Sequence, residues 1–81
     1  MTRQEVTTRV QATFRDIFDN PSMEIRDEMS AKDLEDWDSL THINLVTAIE
    51  KEFKTRFALA EIQDLKNVGE MIDLTLRKVA G

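Results

Sequence analysis

Asp38, Ser39 and His42 are the residues of this 81-residue chain whose types and spacing could do chemistry together. A serine and a histidine at i and i+3 of a helix can bring a hydroxyl within reach of an imidazole. An acid beside them invites comparison with a nucleophile, a base and an orienting carboxylate. The placement argues against that. Asp38 stands where a helix begins, and an Asp there turns its carboxylate to the backbone N–H groups of the first turn rather than to a ring. Nothing nearby supplies an oxyanion hole, and a small helical domain offers little room for a substrate cleft. His42 is therefore expected to face solvent or a partner. Two readings of Ser39 remain: a plain helix-start residue, and an attachment point. As the first helical residue it would point outward from a helix N-terminus. Free amides and the positive end of the helix dipole favour an anionic group there, so a phosphodiester on its Oγ would sit in a suitable field.

The elements that must position these residues are helical. Thr2 and Glu5 have the spacing of a capping box, and Val6, Val10, Phe14, Ile17 and Phe18 recur at threes and fours, which predicts a helix over 3–18. Asp19-Asn20-Pro21-Ser22 ends it. Residues 19–37 form a long connection in which Ser30-Ala31-Lys32-Asp33 could start a helical turn, and Leu34 and Trp37 are expected to pin the chain to the core. A second helix begins at Asp38, with an apolar stripe of Leu40, Ile43, Val46, Ile49 and Phe53 widened by Leu45. Lys54 to Arg56 is a basic finish that suits a helix C-terminus. Phe57, Leu59, Ile62 and Leu65 suggest a short third helix. Asn67 and Glu70 repeat the box spacing before a last helix that buries Val68, Met71, Ile72, Thr75, Leu76 and Val79. The expectation is an all-α domain over 1–81: three principal helices and a short one, with a long loop between the first two.

Composition narrows the chemistry. There is no cysteine and a single histidine, so disulfides, an intrinsic thiolate and multi-histidine metal sites are excluded. A carboxylate-only site for a hard cation stays open, but no stretch has the D-x-[DN]-x-[DN]-G pattern of an EF-hand loop, and no metal is expected. Thioester chemistry would have to arrive on a prosthetic group. A net charge of −5 argues against nucleic acid and anionic membrane, which reward clustered Lys and Arg, and fits partners with basic docking surfaces. No apolar run approaches a membrane span, the N-terminus has no hydrophobic signal core and there is no cysteine, so a cytoplasmic location is expected; the chain is also expected to be a monomer.

The stretch DSLTHINLVTAIEKEF, 38–53, resembles the phosphopantetheine site and second helix of acyl carrier proteins. The order of elements along nearly the whole chain resembles that family too. The resemblance implies that Ser39 takes 4′-phosphopantetheine from coenzyme A, covalently, through a separate phosphopantetheinyl transferase. The arm's thiol would then hold acyl groups as thioesters for acyl-loading and acyl-processing enzymes. The chain would be a carrier, not an enzyme. Asp38 would cap the helix and frame the site. Ile43, Val46, Ile49 and Phe53 would face the core. Leu40, Thr41, His42, Asn44, Glu50 and Trp37 would contribute to partner docking.

Asp36-Trp37-Asp38 departs from the G-A-D that usually precedes the serine in fatty-acid-synthesis members, and resembles carriers of specialised pathways. Trp37 also reads as a loop-to-core anchor. Thr41, Asn44 and Lys51 occupy positions often acidic in housekeeping carriers, and Thr47 stands where methionine is common, while Glu35, Asp36, Asp38, Glu50 and Glu52 stay acidic. The mixed surface weakens steering toward a basic patch, and poor exchange with general fatty-acid enzymes is expected. An aminoacyl, D-alanyl or peptidyl carrier would use the same Ser39. An unmodified helical adaptor would use the second-helix face for binding alone.

Overall fold

The first helix starts where its capping pair requires. In a computed structural model that describes residues 1–80, Thr2 Oγ1 accepts the Glu5 N–H at 3.1 Å and Glu5 Oε1 accepts the Thr2 N–H at 3.2 Å. The last position of the expected 1–81 domain lies outside the described residues. Four helices follow in order: α1 (Arg3–Ile17), α2 (Ser39–Phe53), α3 (Leu59–Asp64) and α4 (Val68–Ala80). There is no strand among the described residues. Val6, Val10 and Phe14 of α1 are wholly buried, the threefold and fourfold spacing turned into one face. Asp19, just past the helix, takes the left-handed conformation at φ 51°, one of the few non-glycine types that tolerates it.

The connection from Asp19 to Asp38 is long but tied down. Arg15 Nε donates to the Met23 carbonyl at 2.7 Å, and Gln11 Oε1 accepts the Ile25 N–H at 2.9 Å, so α1 side chains satisfy the loop backbone. The expected turn at Ser30 closes through the Asp33 N–H and the Ser30 carbonyl at 2.9 Å. Trp37 is buried as an anchor, at 6% exposure, whereas Leu34 is only partly covered. Met29 is buried more deeply still, and its carbonyl accepts the Val68 N–H at 2.8 Å. The Asp27 carbonyl takes the Gly69 N–H at 2.9 Å. The loop thus supplies acceptors for first-turn amides that a helix cannot pair by itself. Gly69 permits this approach: a Cβ there would lie 3.0 Å from Asp27 Cβ and 3.1 Å from its carbonyl oxygen.

The box expected before α4 forms with one change. Asn67 Oδ1 accepts the Glu70 N–H at 2.8 Å, but the Glu70 carboxylate reaches the Lys66 N–H at 3.0 Å instead of the Asn67 N–H. Leu74 joins the buried face, at 4% exposure, beside Val68, Met71, Ile72 and Thr75. Its burial was not expected because α4 is covered over a wider arc than one amphipathic stripe.

The apolar stripe of α2 needs a larger correction. Leu45, Val46, Ile49 and Phe53 are buried, but Leu40 is 68% exposed and Ile43 57% exposed. Steps of three residues fall short of a full turn. At about 100° per residue, Leu40 and Ile49 lie about 180° apart around the helix. The spacing 40, 43, 46, 49 therefore winds from the outer face to the inner one. Ile43 does not face the core.

Candidate functional site

The candidate site is the corner where the loop meets α2. Asp38 has extended backbone, and its Oδ1 accepts the Thr41 N–H at 2.8 Å. That backbone hydrogen bond, the largest influence, holds the Asp38 carboxyl below the usual carboxylate range. Asp38 is the helix cap the sequence implied. Ser39 follows as the first helical residue, exposed, at the positive end of a 15-residue helix. Among the described residues no hydrogen bond engages its Oγ.

Trp37 is the buried floor of this corner. Its ring meets Phe14 edge-on at 5.4 Å between centroids and Phe18 at 6.3 Å. The His42 ring lies nearly parallel to the indole at its N–H edge, 6.0 Å between centroids and 24° between planes. Trp37 Nε1 donates to His42 Nδ1 at 3.1 Å, and His42 Nε2 lies 3.4 Å from the Ile62 carbonyl oxygen. One expectation is corrected here. His42 is half-buried and turned inward, with both ring nitrogens engaged, rather than facing solvent. Trp37 is buried at 6% exposure and borders the groove described below. The same geometry dismantles the triad, because the Asp38 carboxylate is spent on a backbone amide and the imidazole on Trp37 and α3.

Of the other expected docking residues, Leu40 and Asn44 are exposed on the outer face of α2, and Thr41 is half-buried. Glu50 is drawn inward: its Oε2 accepts the Phe57 N–H at 2.8 Å and so fixes the α2–α3 connection. Ile43 and Leu59, not expected at the surface, are exposed instead. They border an open groove of about 630 Å³ that runs from Ser39 between α2 and α3. Ile62, Leu65 and Met71 line its apolar part, and Gln63, Lys66 and Asn67 its polar rim. The winding of the stripe was the signal that could have placed Ile43 here. Among the described residues no helix is long and apolar enough to cross a membrane.

A family profile described as "Phosphopantetheine attachment site" matches residues 8–75. The holo acyl carrier protein of Geobacter metallireducens, solved in solution, superposes with a TM-score of 0.87 at 43% identity, over 93% of this chain and 86% of that one. This chain belongs to the acyl carrier protein family. Acyl carrier proteins of Acidothermus cellulolyticus and Saccharopolyspora erythraea are each 29% identical to it. The first aligns over 90% of this chain and 87% of its own length, the second over 99% and 84%. The small helical bundle, the attachment-site profile and the carrier relatives agree: this acyl carrier protein is a carrier rather than an enzyme.

Proposed function

We propose that Ser39 is the residue that takes 4′-phosphopantetheine. The observation that carries this reading is the pairing of an exposed, unengaged hydroxyl at the start of α2 with an apolar groove beginning at the same residue. The chain holds two other serines, Ser22 and Ser30, and both lie in the loop rather than at the start of a helix. The local field also fits the group, since a phosphodiester at Ser39 Oγ meets the positive end of the α2 dipole. In the modification a phosphodiester bond forms at Oγ while the pyrophosphate bond of coenzyme A breaks; adenosine 3′,5′-bisphosphate leaves and the Oγ proton passes to a base. The partner transferase supplies the base, because His42 is committed elsewhere. The bound arm contributes a terminal thiol on which acyl groups ride as thioesters. The chain's own part is to hold Asp38 as the cap, present Leu40 and Asn44 outward, and offer the groove between Ile43 and Leu59.

The partners of this reading are a phosphopantetheinyl transferase and acyl-loading and acyl-processing enzymes. We read the carrier as dedicated to a specialised pathway, supported by an outer α2 face that carries Asn44, Thr47 and Lys51 rather than a run of acids. Transfer from fluorescent coenzyme A by a broad-specificity phosphopantetheinyl transferase tests the attachment. Labelling of wild type and none of Ser39→Ala is the expected result. Equal labelling of both removes Ser39 from the reading. No labelling of a folded wild type by several transferases favours an unmodified adaptor.

A further inference from the structure

Helix α3 forms one wall of the groove, yet little holds it. None of its residues is buried. Ile62 packs partly against the core, and Glu61 pairs with Lys78 of α4 at 2.9 Å with both side chains about one-third exposed. Toward α2 its polar tie is the contact between His42 Nε2 and the Ile62 carbonyl oxygen, 3.4 Å. The tautomer of that imidazole follows from its other side. Nδ1 accepts the Trp37 indole N–H at 3.1 Å, so in the neutral ring the proton sits on Nε2 and is available to Ile62. One ring therefore joins the loop anchor to the last turn of α3, with its donor and its acceptor both in use.

We infer that His42 is a positioning residue that latches α3 across the groove beside Ser39 while its ring is neutral, and releases α3 when the ring is protonated. Protonation places a second N–H on Nδ1, opposite the Trp37 N–H and 3.1 Å from it, so two donors face each other. The two rings lie edge to edge, so an imidazolium gains nothing from the indole face; it leaves the Trp37 N–H without an acceptor, and Trp37 is 6% exposed. The ring must turn or step away, and its Nε2–H leaves Ile62 with it. Loss of an acceptor for a buried N–H shifts a local equilibrium by roughly tenfold to a hundredfold. The charged groups lining the groove around His42 are Asp38 from the loop and Lys66 after α3; α4 faces it with Met71, and Asn67 just before α4 is likewise uncharged. Asp38, held below the usual carboxylate range by Thr41, stays ionised through the range in which a histidine takes up its proton. The inference goes beyond the attachment reading and stands on the unmodified chain, so either can fail alone.

The chain has one histidine and one tryptophan, which makes both reporters unambiguous. The experiment follows the isotope-labelled, unmodified protein by NMR from pH 8 to 5. It reads the His42 ring protons, the Trp37 indole N–H, and the Cα shifts and amide order parameters of each helix. As His42 is protonated, the indole resonance is expected to move. Order parameters of residues 59–64 should fall from about 0.85 toward 0.6 or below, while α1 and α4 keep theirs. His42→Phe keeps a ring without hydrogen bonds, and should show a loosened α3 already at pH 8. His42→Gln keeps one donor and one acceptor, and should show no pH response. The inference is overturned by an α3 that stays ordered once wild-type His42 is protonated. It is equally overturned by a pH response of α3 that persists in either variant, or by α1 and α4 losing order in step with α3.

Discussion

Replacing Trp37 with alanine should cost the domain a large share of its stability. Trp37 is 6% exposed and touches Phe14 and Phe18 edge-on at 5.4 and 6.3 Å. Truncating a buried Trp costs about 3–5 kcal/mol, to which such ring pairs contribute about 0.5–1.5 kcal/mol each beyond their area. A domain of 81 residues is stable by about 4–12 kcal/mol at ordinary per-residue values, and small domains sit toward the low end. Trp37→Ala therefore removes roughly a quarter of the margin at the very least, and nearly all of it at the low end. The melting midpoint, followed by circular dichroism at 222 nm, should fall by about 12 °C or more, at about 4–8 °C per kcal/mol. Trp37→Phe keeps a ring against Phe14 but removes the N–H donated to His42. It should cost about 1 kcal/mol, or about 4–8 °C. Urea unfolding with an unchanged slope shows that the surface exposed on unfolding is the same and that the shift is one of stability. A Trp37→Ala protein melting within about 4 °C of wild type would refute the reasoning, since the loop would then not be pinned through this ring.

Gly69→Ala sets helix propensity against sterics: alanine is better by about 1 kcal/mol in a helix, but its Cβ would press on Asp27 at 3.0 Å. Net destabilisation by urea titration is expected, and a stabilised variant would mean that the loop does not sit against α4. Ile49→Ala should cost about 2–5 kcal/mol and Ile43→Ala less than about 0.5 kcal/mol, measured the same way; equal costs would contradict the winding of the α2 stripe. Glu5, Asp38 and Glu61 are all held below the usual carboxylate range: Glu5 by the Thr2 N–H, Asp38 by the Thr41 N–H, and Glu61 first by Lys78 and then by the Ala58 N–H. A carboxyl whose pKa is lower folded than unfolded adds stability that is complete above its unfolded pKa and is lost as pH falls through the folded one. Urea midpoints should therefore decline as pH drops below about 4, and a midpoint that rises there contradicts these caps.

Local signals carried most of the architecture. The Thr2–Glu5 box, the Asp38 cap and the buried spacing of α1 are short-range features, and all three appear where the residue types demand them. Trp37 was readable as an anchor because a large ring in a polar loop has few other uses. What was not readable depends on contacts between distant segments. Met29 pins the loop because its carbonyl meets Val68, 39 positions along by residue number. His42 turns inward because Trp37 and Ile62 offer it a donor and an acceptor, which no spacing within α2 reveals. Glu50 looked like surface charge until Phe57 supplied it with an amide. Ile43 was legible in principle, because each step of three falls about 60° short of a full turn and carries the stripe around the axis. Around the site the helix start was legible and the groove was not, since its walls come from three separate elements and the loop.

The most direct measurement is the mass of the intact chain after incubation with coenzyme A, magnesium and a broad-specificity phosphopantetheinyl transferase. Fragmentation then places the added group among Ser22, Ser30 and Ser39. A gain of one phosphopantetheinyl group, borne by the fragment holding Ser39 and absent from Ser39→Ala, is the expected result. A group borne by another residue, or a folded chain that stays unmodified with several transferases, would contradict the claim that Ser39 is the attachment point.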